Sequence, residues 1–321
     1  MNQAYLTTQK MKSMNPPPKV LVIILNWNQK YDTIGCLNSL KKIDYPNYHI
    51  IVIDNNSSDD SVNAILQAHP TIRVYKQQDN YGCAGGRNIG LKYADHQADY
   101  ILFLDNDTKV SPKFLTYLIE TAEQDLNIGV VSSMILYWDD PSIAWTSGGS
   151  IDKNGIVTAL YYNEPTSNIP NALYKVDWVP GCVLLAKKSV FEEISDFNEN
   201  YFIYFEDVDW CLKAKQAGYH VVVDPRSVVY HKASQSLGGE TSLGKLYYMT
   251  RNRLLFVSQY YRGIKAFRSI SLILVEEFLN IVDQLRMKNF LQSLIKIKAI
   301  FHFFVGKKGA LSEQNDKLKH L

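Results

Sequence analysis

The chain has 321 residues, enough for one large α/β domain with an appendage or for two modest domains. Hydrophobic residues make up 46% and charged residues 21%, which excludes a disordered or collagen-like chain. The formal net charge of +2 excludes a strong overall attraction to nucleic acid or membrane, so any basic surface for a partner must be local.

The cysteines and the N-terminal residues bear on the cellular compartment. The four cysteines form no C-x-x-C pair, so neither a zinc knuckle nor a disulfide framework is expected, and a reducing cytoplasm is the simplest location. Residues 1–18 are polar, contain three consecutive prolines and lack the apolar segment of a secretory signal. We interpret them as a flexible lead-in.

Strand and helix patterns alternate four times over residues 19–127. Short, β-branched apolar runs predict buried strands at 20–25, 49–53, 72–75 and 100–104. The helices are expected to follow Asp32 and Thr33, the polar cluster 54–60, a glycine-rich turn at 82–86, and Ser111. Pro112 after Ser111 is a typical first helical residue. The alternation predicts a mostly parallel sheet flanked by helices.

Polar clusters follow the predicted strands directly, at residues 26–28, 54–60 and 105–107. In open parallel sheets, ligands bind beyond the carboxyl ends of the strands. These clusters are therefore candidates for one shared site.

The pattern changes after residue 128. A strand is predicted at 129–136, a turn-rich segment at 138–155, an apolar run at 176–186 and a short helix at 189–194. Another helix is expected to begin after Phe205 and to end at Gly218, before extended segments at 220–224 and 227–231. Beyond Thr241 the chain is predicted to be helical.

The C-terminal helices carry a local excess of positive charge. The apolar run 270–285 is interrupted by acidic residues and should not span a bilayer. Between 286 and 312 there is no acidic residue, and basic residues alternate with apolar ones: Arg286, Lys288, Lys296, Lys298, Lys307 and Lys308. This pattern fits a helix lying on an anionic membrane surface, and it equally fits a core-packing or dimer helix with a solvated basic face.

Two aspartates at the end of the fourth strand form a candidate metal site. Side chains two residues apart on extended backbone point the same way, so Asp105 and Asp107 would repel by about 3 kcal/mol at 5 Å and an effective dielectric near 20. A divalent cation, Mg²⁺ or Mn²⁺, would remove that penalty. The alternative is a polar strand exit that caps the next helix. His231 could complete the metal shell if it meets these aspartates in space.

Other charged residues have both structural and chemical interpretations. Asp54 could accept a bond from a nucleobase or form an Asx turn, and Arg87 could pair with a phosphate or follow a plain tight turn. Three carboxylates, Glu206, Asp207 and Asp209, begin one helix, which exceeds the needs of capping. Asp207 points away from the face shared by the other two, so it could take a proton from a hydroxyl nucleophile.

Several motifs together resemble the GT-A fold glycosyltransferases of family 2, particularly their rhamnosyltransferase-like and galactofuranosyltransferase-like branch. They occur in the family's order over roughly residues 19–260, in the segments 25–28, 52–59, 80–90, 105–107, 178–181, 205–209 and 230–231. The segment 197–200 departs from the family's usual glycine-phenylalanine-aspartate-glutamate run.

The resemblance implies an inverting, metal-dependent transfer of a sugar from a nucleotide diphosphate to an acceptor hydroxyl. Asp207 would be the general base, with Trp178, Gly181 and Glu206 on the acceptor side. The metal would be bound by Asp105, Asp107 and His231. Asp54 would contact the base or ribose, and the nucleotide-sugar would be bound by the set Asn26, Asp54, Asn56, Gly82, Arg87, Asp105 and Asn106.

The predicted organisation follows from these motifs. Residues 19–240 would form the GT-A catalytic domain, with a nucleotide-binding half at 19–127 and an acceptor half at 128–240, followed by a helical region at 241–310 and a polar tail at 311–321. The expected partners are a nucleotide-diphosphate sugar, with a deoxyhexose or furanose as the sugar, and a saccharide or lipid-linked saccharide acceptor, with no nucleic acid. A cytoplasmic enzyme is expected, with the C-terminal helices contacting the inner face of the membrane or a second copy of the chain.

Two alternatives remain at the level of sequence. A sugar-1-phosphate nucleotidyltransferase shares the sheet type and the need for a divalent ion, but it requires a glycine-rich loop after the first strand, where this chain has residues 26–28, Asn-Trp-Asn. A non-catalytic saccharide-binding subunit could have kept the same fold.

Overall fold

The computed structural model describes residues 16–94, 98–232 and 242–311. Most of the predicted lead-in, residues 233–240 of the predicted catalytic domain, and the polar tail from 312 onward lie outside the described residues.

The first half of the chain forms parallel strands, and the apolar runs at 20–26 and 100–105 are buried on both faces. The prediction of a buried strand at 72–75 is wrong on burial, because the strand at 73–76 lies at the edge of the sheet and is partly exposed. Strands β1 (Val20–Asn26), β2 (Tyr48–Asp54), β3 (Arg73–Lys76) and β4 (Tyr100–Asp105) lie in the spatial order β3-β2-β1-β4, and every ladder among them is parallel. The elements are β1 (Val20–Asn26), α1 (Lys30–Leu40), β2 (Tyr48–Asp54), α2 (Ser61–Ala68), β3 (Arg73–Lys76), α3 (Gly82–Lys92), β4 (Tyr100–Asp105), β5 (Thr108–Val110) and α4 (Phe114–Ala122).

The second half extends the same sheet with mixed strand directions. Its elements are β6 (Ile128–Tyr137), β7 (Ile143–Thr146), β8 (Gly149–Ile151), β9 (Val157–Ala159), β10 (Glu164–Pro165), β11 (Tyr174–Val176), β12 (Val183–Lys187), α5 (Lys188–Ile194), α6 (Glu206–Gln216) and β13 (His220–His231). Strand β12 inserts antiparallel between β4 and β6, and β13 runs parallel to β6 and antiparallel to β5. The sheet has a buried apolar cluster on each face. The predicted α/β fold class is confirmed.

Two local predictions in the first half are wrong. The glycine-rich segment is the beginning of α3 rather than a turn, because its small residues let the helix lie close to β1: a Cβ on Gly86 would be 3.1 Å from the Leu25 side chain. The fourth helix begins at Phe114 rather than at Pro112. Ser111 is held outside it because its N–H donates to the carbonyl of Val228 at the sheet edge.

The first helix also begins earlier than predicted. Helix α1 starts at Lys30, so neither Asp32 nor Thr33 caps it. The Thr33 hydroxyl instead donates to Asn26 Oδ1 at 2.7 Å, which connects α1 to the end of β1.

Three further helices occupy the described part of the C-terminal region: α7 (Leu243–Tyr260), α8 (Gly263–Arg286) and α9 (Phe290–Phe304). Leu254, Phe256 and Val257 of α7 pack in one cluster with Tyr201 and Phe205, just before α6. Within the described part of the chain, no helix combines the length and the apolar character that crossing a bilayer requires.

Candidate active site

The register of the parallel strands aligns polar residues at their carboxyl ends. Asn26 is opposite Asp54, and Leu25 is opposite Asp105. Asn26 is fully buried: its Nδ2 donates to Asp54 Oδ2 at 2.8 Å and to Ser57 Oγ at 3.0 Å. This arrangement joins the ends of β1 and β2 into one rigid polar unit.

Asp54 has no exposed surface. It accepts hydrogen bonds from Asn26 Nδ2, from Ser57 Oγ at 2.5 Å and from Ser57 N at 3.1 Å. Asn56 beside it is exposed and has a positive φ of 64°. The structure therefore encloses the Asp54 carboxylate and presents Asn56 to solvent.

Asp105, Asp107 and His231 converge from distant parts of the sequence. Because β13 pairs antiparallel with β5, His231 lies opposite Thr108, and its Nε2 is 3.1 Å from Asp107 Oδ1. Both of these side chains are buried, whereas the Asp105 side chain is 33% exposed. Burial alone would raise the pKa of Asp107, but the His231 ring outweighs it and holds that pKa below its usual value.

Asn106 lies between the two aspartates in sequence but points toward another network. Its Nδ2 donates to Thr33 Oγ1 at 2.9 Å, and Thr33 in turn donates to Asn26. Asn106 is buried, so in this structure it links β4 to α1.

Cys182 is a site residue that the sequence analysis missed. Its Sγ, an oxygen of Asp105 and a nitrogen of His231 all lie within 4.8 Å of one another. The cysteine immediately precedes β12, whose residue Val183 pairs with Leu104. Burial raises the pKa of the Cys182 thiol, and Asp105 raises it further. Cys182 reaches this position only because β12 pairs with β4, and no local pattern in the sequence indicates that pairing.

Arg87 connects Asp105 to the start of α6. Its guanidinium donates to Glu206 Oε1 at 2.6 Å and to Asp105 Oδ1 at 3.4 Å, and it is buried. Burial alone would lower the pKa of Arg87, but Glu206 and other acidic neighbours raise it. The guanidinium that the sequence assigns to a phosphate is thus paired with two carboxylates in this structure.

Asp207 and Glu206 begin α6 beside Gly181. The half-buried Asp207 accepts from the Gly181 N–H through Oδ2 at 2.9 Å. A Cβ on Gly181 would lie 2.4 Å from the Arg87 guanidinium, so a larger residue here would displace the Arg87 side chain. Glu206 is buried; burial, with a further contribution from Asp207, raises its pKa to about 8.

Trp178 is one of the residues that the sequence analysis assigns to the acceptor side of the site. It is half-buried, and Gly149 packs so closely that a Cβ there would be 2.0 Å from the indole. Asp209 is structural by its contacts: it accepts from Gln259 Nε2 at 2.8 Å and Tyr260 Oη at 2.9 Å and forms an ion pair with Lys213.

A backbone segment in unusual conformations precedes α6. Phe202, Tyr204 and Phe205 have φ values of 68°, 64° and 74°, a region that L-residues rarely adopt. Asn252 of α7 donates through Nδ2 to the carbonyls of Tyr201, Ile203 and Tyr204 at 2.8–2.9 Å. Gly82 lies against the same segment, because a Cβ there would be 2.3 Å from the Phe202 carbonyl oxygen.

Six of the predicted site residues and Cys182 therefore form one chain of contacts, from Asp207 through Gly181 and Arg87 to Asp105, then to Cys182, His231 and Asp107. Asn26, Asp54 and Asn106 form a second, buried network behind it, connected through Thr33.

The family model of Glycosyl transferase family 2 matches residues 21–192. The low-salt glycan biosynthesis hexosyltransferase Agl10 of Haloferax volcanii is 25% identical over 245 residues, 73% of this chain and 74% of the relative. The N-acetylglucosaminyl-diphospho-decaprenol L-rhamnosyltransferase of Mycobacterium tuberculosis is 25% identical over 213 residues, covering 59% of this chain and 68% of the relative.

A solved structure shares the fold. The mannosyltransferase PcManGT of Pyrobaculum calidifontis, solved with GDP-Man and Mn²⁺, superposes with a TM-score of 0.56 at 15% identity, over 92% of this chain and 77% of that chain. The family model matches more than half of the residues of this chain. The chain therefore belongs to glycosyl transferase family 2, with the GT-A fold. It is a glycosyltransferase that uses nucleotide sugars.

Proposed function

We propose that this chain catalyses an inverting, divalent-metal-dependent transfer of a sugar from a nucleotide-diphosphate sugar to an acceptor hydroxyl. The observation that carries the proposal is the convergence of Asp105, Asp107 and His231, with a Nε2 to Oδ1 distance of 3.1 Å between His231 and Asp107. Family membership favours sugar transfer over the nucleotidyltransferase alternative.

The donor set at this convergence fits a divalent cation. Two carboxylates and an imidazole suit Mg²⁺ or Mn²⁺, and the buried Asp107 is kept ionised by its neighbour. When bound, such an ion would neutralise negative charge that develops on the departing diphosphate. Asp105, Asp107 and His231 would hold it, and Arg87 would contribute a fixed positive charge beside Asp105.

Asp207 is the residue we assign as general base. It lies at the N-terminus of α6, where the helix dipole favours a carboxylate, and the Gly181 N–H fixes one of its oxygens at 2.9 Å. In this position it takes the proton from the acceptor hydroxyl as that oxygen attacks the anomeric carbon from the face opposite the diphosphate.

Glu206, Gly181 and Trp178 form the proposed acceptor side. Glu206 Oε2 and Trp178 Nε1 are buried polar atoms without a hydrogen-bond partner among the described residues. Such atoms are costly unless a ligand satisfies them, so they suit the hydroxyl groups of a saccharide.

The remaining residues are proposed to bind the nucleotide-sugar or to position residues that do. Asn56, Gly82 and Arg87 keep their predicted nucleotide-sugar roles. Because Asp54 is enclosed with Asn26 and Ser57, its predicted contact with the base or ribose requires this network to open. Asn106 would act through Thr33.

The relatives suggest the class of substrates. One is named a hexosyltransferase of glycan biosynthesis and another an L-rhamnosyltransferase acting on a decaprenol-linked saccharide. We propose a deoxyhexose or furanose donor and a saccharide or lipid-linked saccharide acceptor, in the synthesis of a bacterial surface polysaccharide at the inner face of the membrane.

The test is a panel of nucleotide sugars, assayed for nucleotide release with Mn²⁺, with Mg²⁺ and with a chelator. Asp207→Asn should lower transfer by about 10²–10⁴-fold while donor binding, measured by calorimetry, stays near wild type. The matched control is Glu192→Gln, an exposed carboxylate on α5, which should behave as wild type.

Three results would overturn parts of this proposal. Wild-type turnover by Asp207→Asn would remove the base assignment. A product that retains the donor's anomeric configuration, determined by NMR, would exclude inversion. No heat on titration with UDP and GDP sugars in Mn²⁺ would favour the non-catalytic saccharide-binding subunit.

A further inference from the structure

We propose that the helical hairpin formed by α8 and α9 docks on the surface of an anionic lipid bilayer. This inference goes beyond the sugar-transfer reaction and does not depend on it. It rests on the exposure, the spacing and the charge of the residues of the two helices.

The first observation is an apolar face that the described part of the chain leaves uncovered. Six large apolar side chains of the hairpin are between 61% and 75% exposed: Phe267, Phe278, Met287, Phe290, Phe301 and Phe304. A monomer that stays in water rarely exposes so many large apolar side chains on two adjacent helices, because moving each of them out of water lowers the free energy.

The second observation is that the spacing places this face opposite the packed face. On α9 the exposed residues are Phe290, Leu294, Ile297, Phe301 and Phe304, at alternating intervals of four and three. Ser293, Lys296 and Ala299 on the same helix are buried against the rest of the protein. Helix α9 is therefore apolar on its outer side as well, which core packing does not require.

Helix α8 has the same two-sided character. Ser269, Ile273, Glu277 and Ile281 recur every four residues and are buried. Apolar side chains on its other side, such as Phe267 and Phe278, are exposed. The turn between the helices adds the exposed Met287, so apolar exposure continues from one helix into the next.

The third observation is the charge around this face. Residues 262–311 contain nine Lys or Arg and three Asp or Glu, a net charge of +6, whereas the whole chain carries +2 and the rest of it therefore −4. All three acidic residues are paired: Glu277 with Lys296 at 2.8 Å, Glu276 with Arg253 at 2.6 Å and Asp283 with Arg286 at 3.2 Å. The hairpin thus presents apolar groups within a positive surface.

Exposed apolar groups within a positive surface favour one binding partner, an anionic bilayer, over a second copy of the chain. A symmetric dimer through the hairpin would place the same positive surface against itself, since both partners contribute the same patch. An anionic bilayer instead offers both an apolar interior for the phenylalanines and negative headgroups for the exposed Arg268, Lys288 and Lys308. Complementarity of charge therefore favours the lipid surface over a second copy.

The experiment is flotation of the full-length protein with vesicles of equal parts phosphatidylglycerol and phosphatidylcholine, compared with pure phosphatidylcholine. We expect at least tenfold stronger partition onto the anionic vesicles at low salt, weakened by added salt. The triple variant Phe290→Ser, Phe301→Ser, Phe304→Ser should lose at least tenfold in partition, and so should Arg268→Ser, Lys288→Ser, Lys308→Ser.

The matched control replaces exposed apolar residues that are far from the hairpin in sequence. Tyr31 and Leu126 are 80% and 87% exposed, and the double variant Tyr31→Ser, Leu126→Ser should bind vesicles as wild type does. Circular dichroism melting establishes that each variant is folded. Equal partition onto both vesicle types would overturn the proposal. It would also fail if light scattering found a dimer that the phenylalanine variant dissociates while no form binds vesicles.

Discussion

At the scale of single residues, the buried Glu206 couples stability to pH. Its raised pKa of about 8 means that the native state favours the protonated carboxyl, so its stabilising contribution is complete below its ordinary pKa and is lost as pH rises through 8. Glu206→Gln should remove this loss. Between pH 5 and 9, we expect the free energy of unfolding to fall by about 2–5 kcal/mol more in wild type than in the variant.

Urea denaturation at several pH values measures this difference. Glu192→Gln, at an exposed position of α5, is the control and should keep the wild-type slope. If the free energy of unfolding of Glu206→Gln falls with rising pH as steeply as that of wild type, another group is responsible.

The thiol of Cys182 should contribute to the binding of a thiophilic metal ion at this site. Because its Sγ lies within 4.8 Å of ligand atoms of Asp105 and His231, Cd²⁺ should bind at least tenfold more weakly to Cys182→Ser, while Mn²⁺ affinity changes much less. Titration calorimetry with each ion measures both affinities. The buried Cys211 supplies the control variant Cys211→Ser, and equal effects in the two variants would count against the assignment.

At the scale of elements, α7 holds the backbone that leads into the site. The single Asn252 amide donates to three carbonyls of a segment with positive φ values. The amide has two hydrogens, one of them shared between two carbonyls, so Asn252→Ala should cost about 2 kcal/mol of stability, at about 1 kcal/mol for each hydrogen. We also expect at least a tenfold loss of kcat, with donor affinity nearly unchanged, because Glu206 and Asp207 follow that segment directly.

Steady-state kinetics and thermal unfolding separate the two effects of Asn252→Ala. Asn280→Ala, on the exposed side of α8, is the control. If kcat is unchanged although the variant is less stable, α7 supports the fold alone and does not position the site.

Two glycines, one in α1 and one at the start of α3, should respond oppositely to the same substitution. Gly82→Ala introduces a Cβ 2.3 Å from a backbone oxygen at a φ of 69°, so we expect a loss of at least about 2 kcal/mol. Gly35 lies in the middle of α1 with nothing within 4 Å of its Cβ position, so Gly35→Ala should stabilise by about 0.5–1 kcal/mol. Urea unfolding of both variants checks the pair, and equal effects would contradict it.

At the scale of the whole molecule, the two predicted halves share one sheet. Strand β12 from the second half lies between β4 and β6, so a fragment ending at 127 would leave β4 as an apolar edge. We expect residues 16–127 alone to aggregate or to unfold without cooperativity. A sigmoidal urea transition of that fragment at the full-length midpoint would contradict this expectation.

The predictable parts of the molecule are those that depend on neighbouring residues. Apolar runs identified the parallel strands, and because the polar residues after them end up at the same edge, Asp54 and Asp105 could be grouped from sequence. The contacts of Cys182, Arg87 and Asn252 could not be predicted, since they depend on where β12, α6 and α7 pack. Pairing partners so distant in sequence leave no local pattern.

The close packing at Gly181 limits how such an enzyme can change. The Gly181 N–H donates to Asp207 Oδ2 at 2.9 Å, and a Cβ on the same residue would lie 2.4 Å from the Arg87 guanidinium. A larger residue would therefore displace the Arg87 side chain from its bonds to Glu206 and Asp105. New substrate preferences should then arise through other residues around the site, while this position stays glycine.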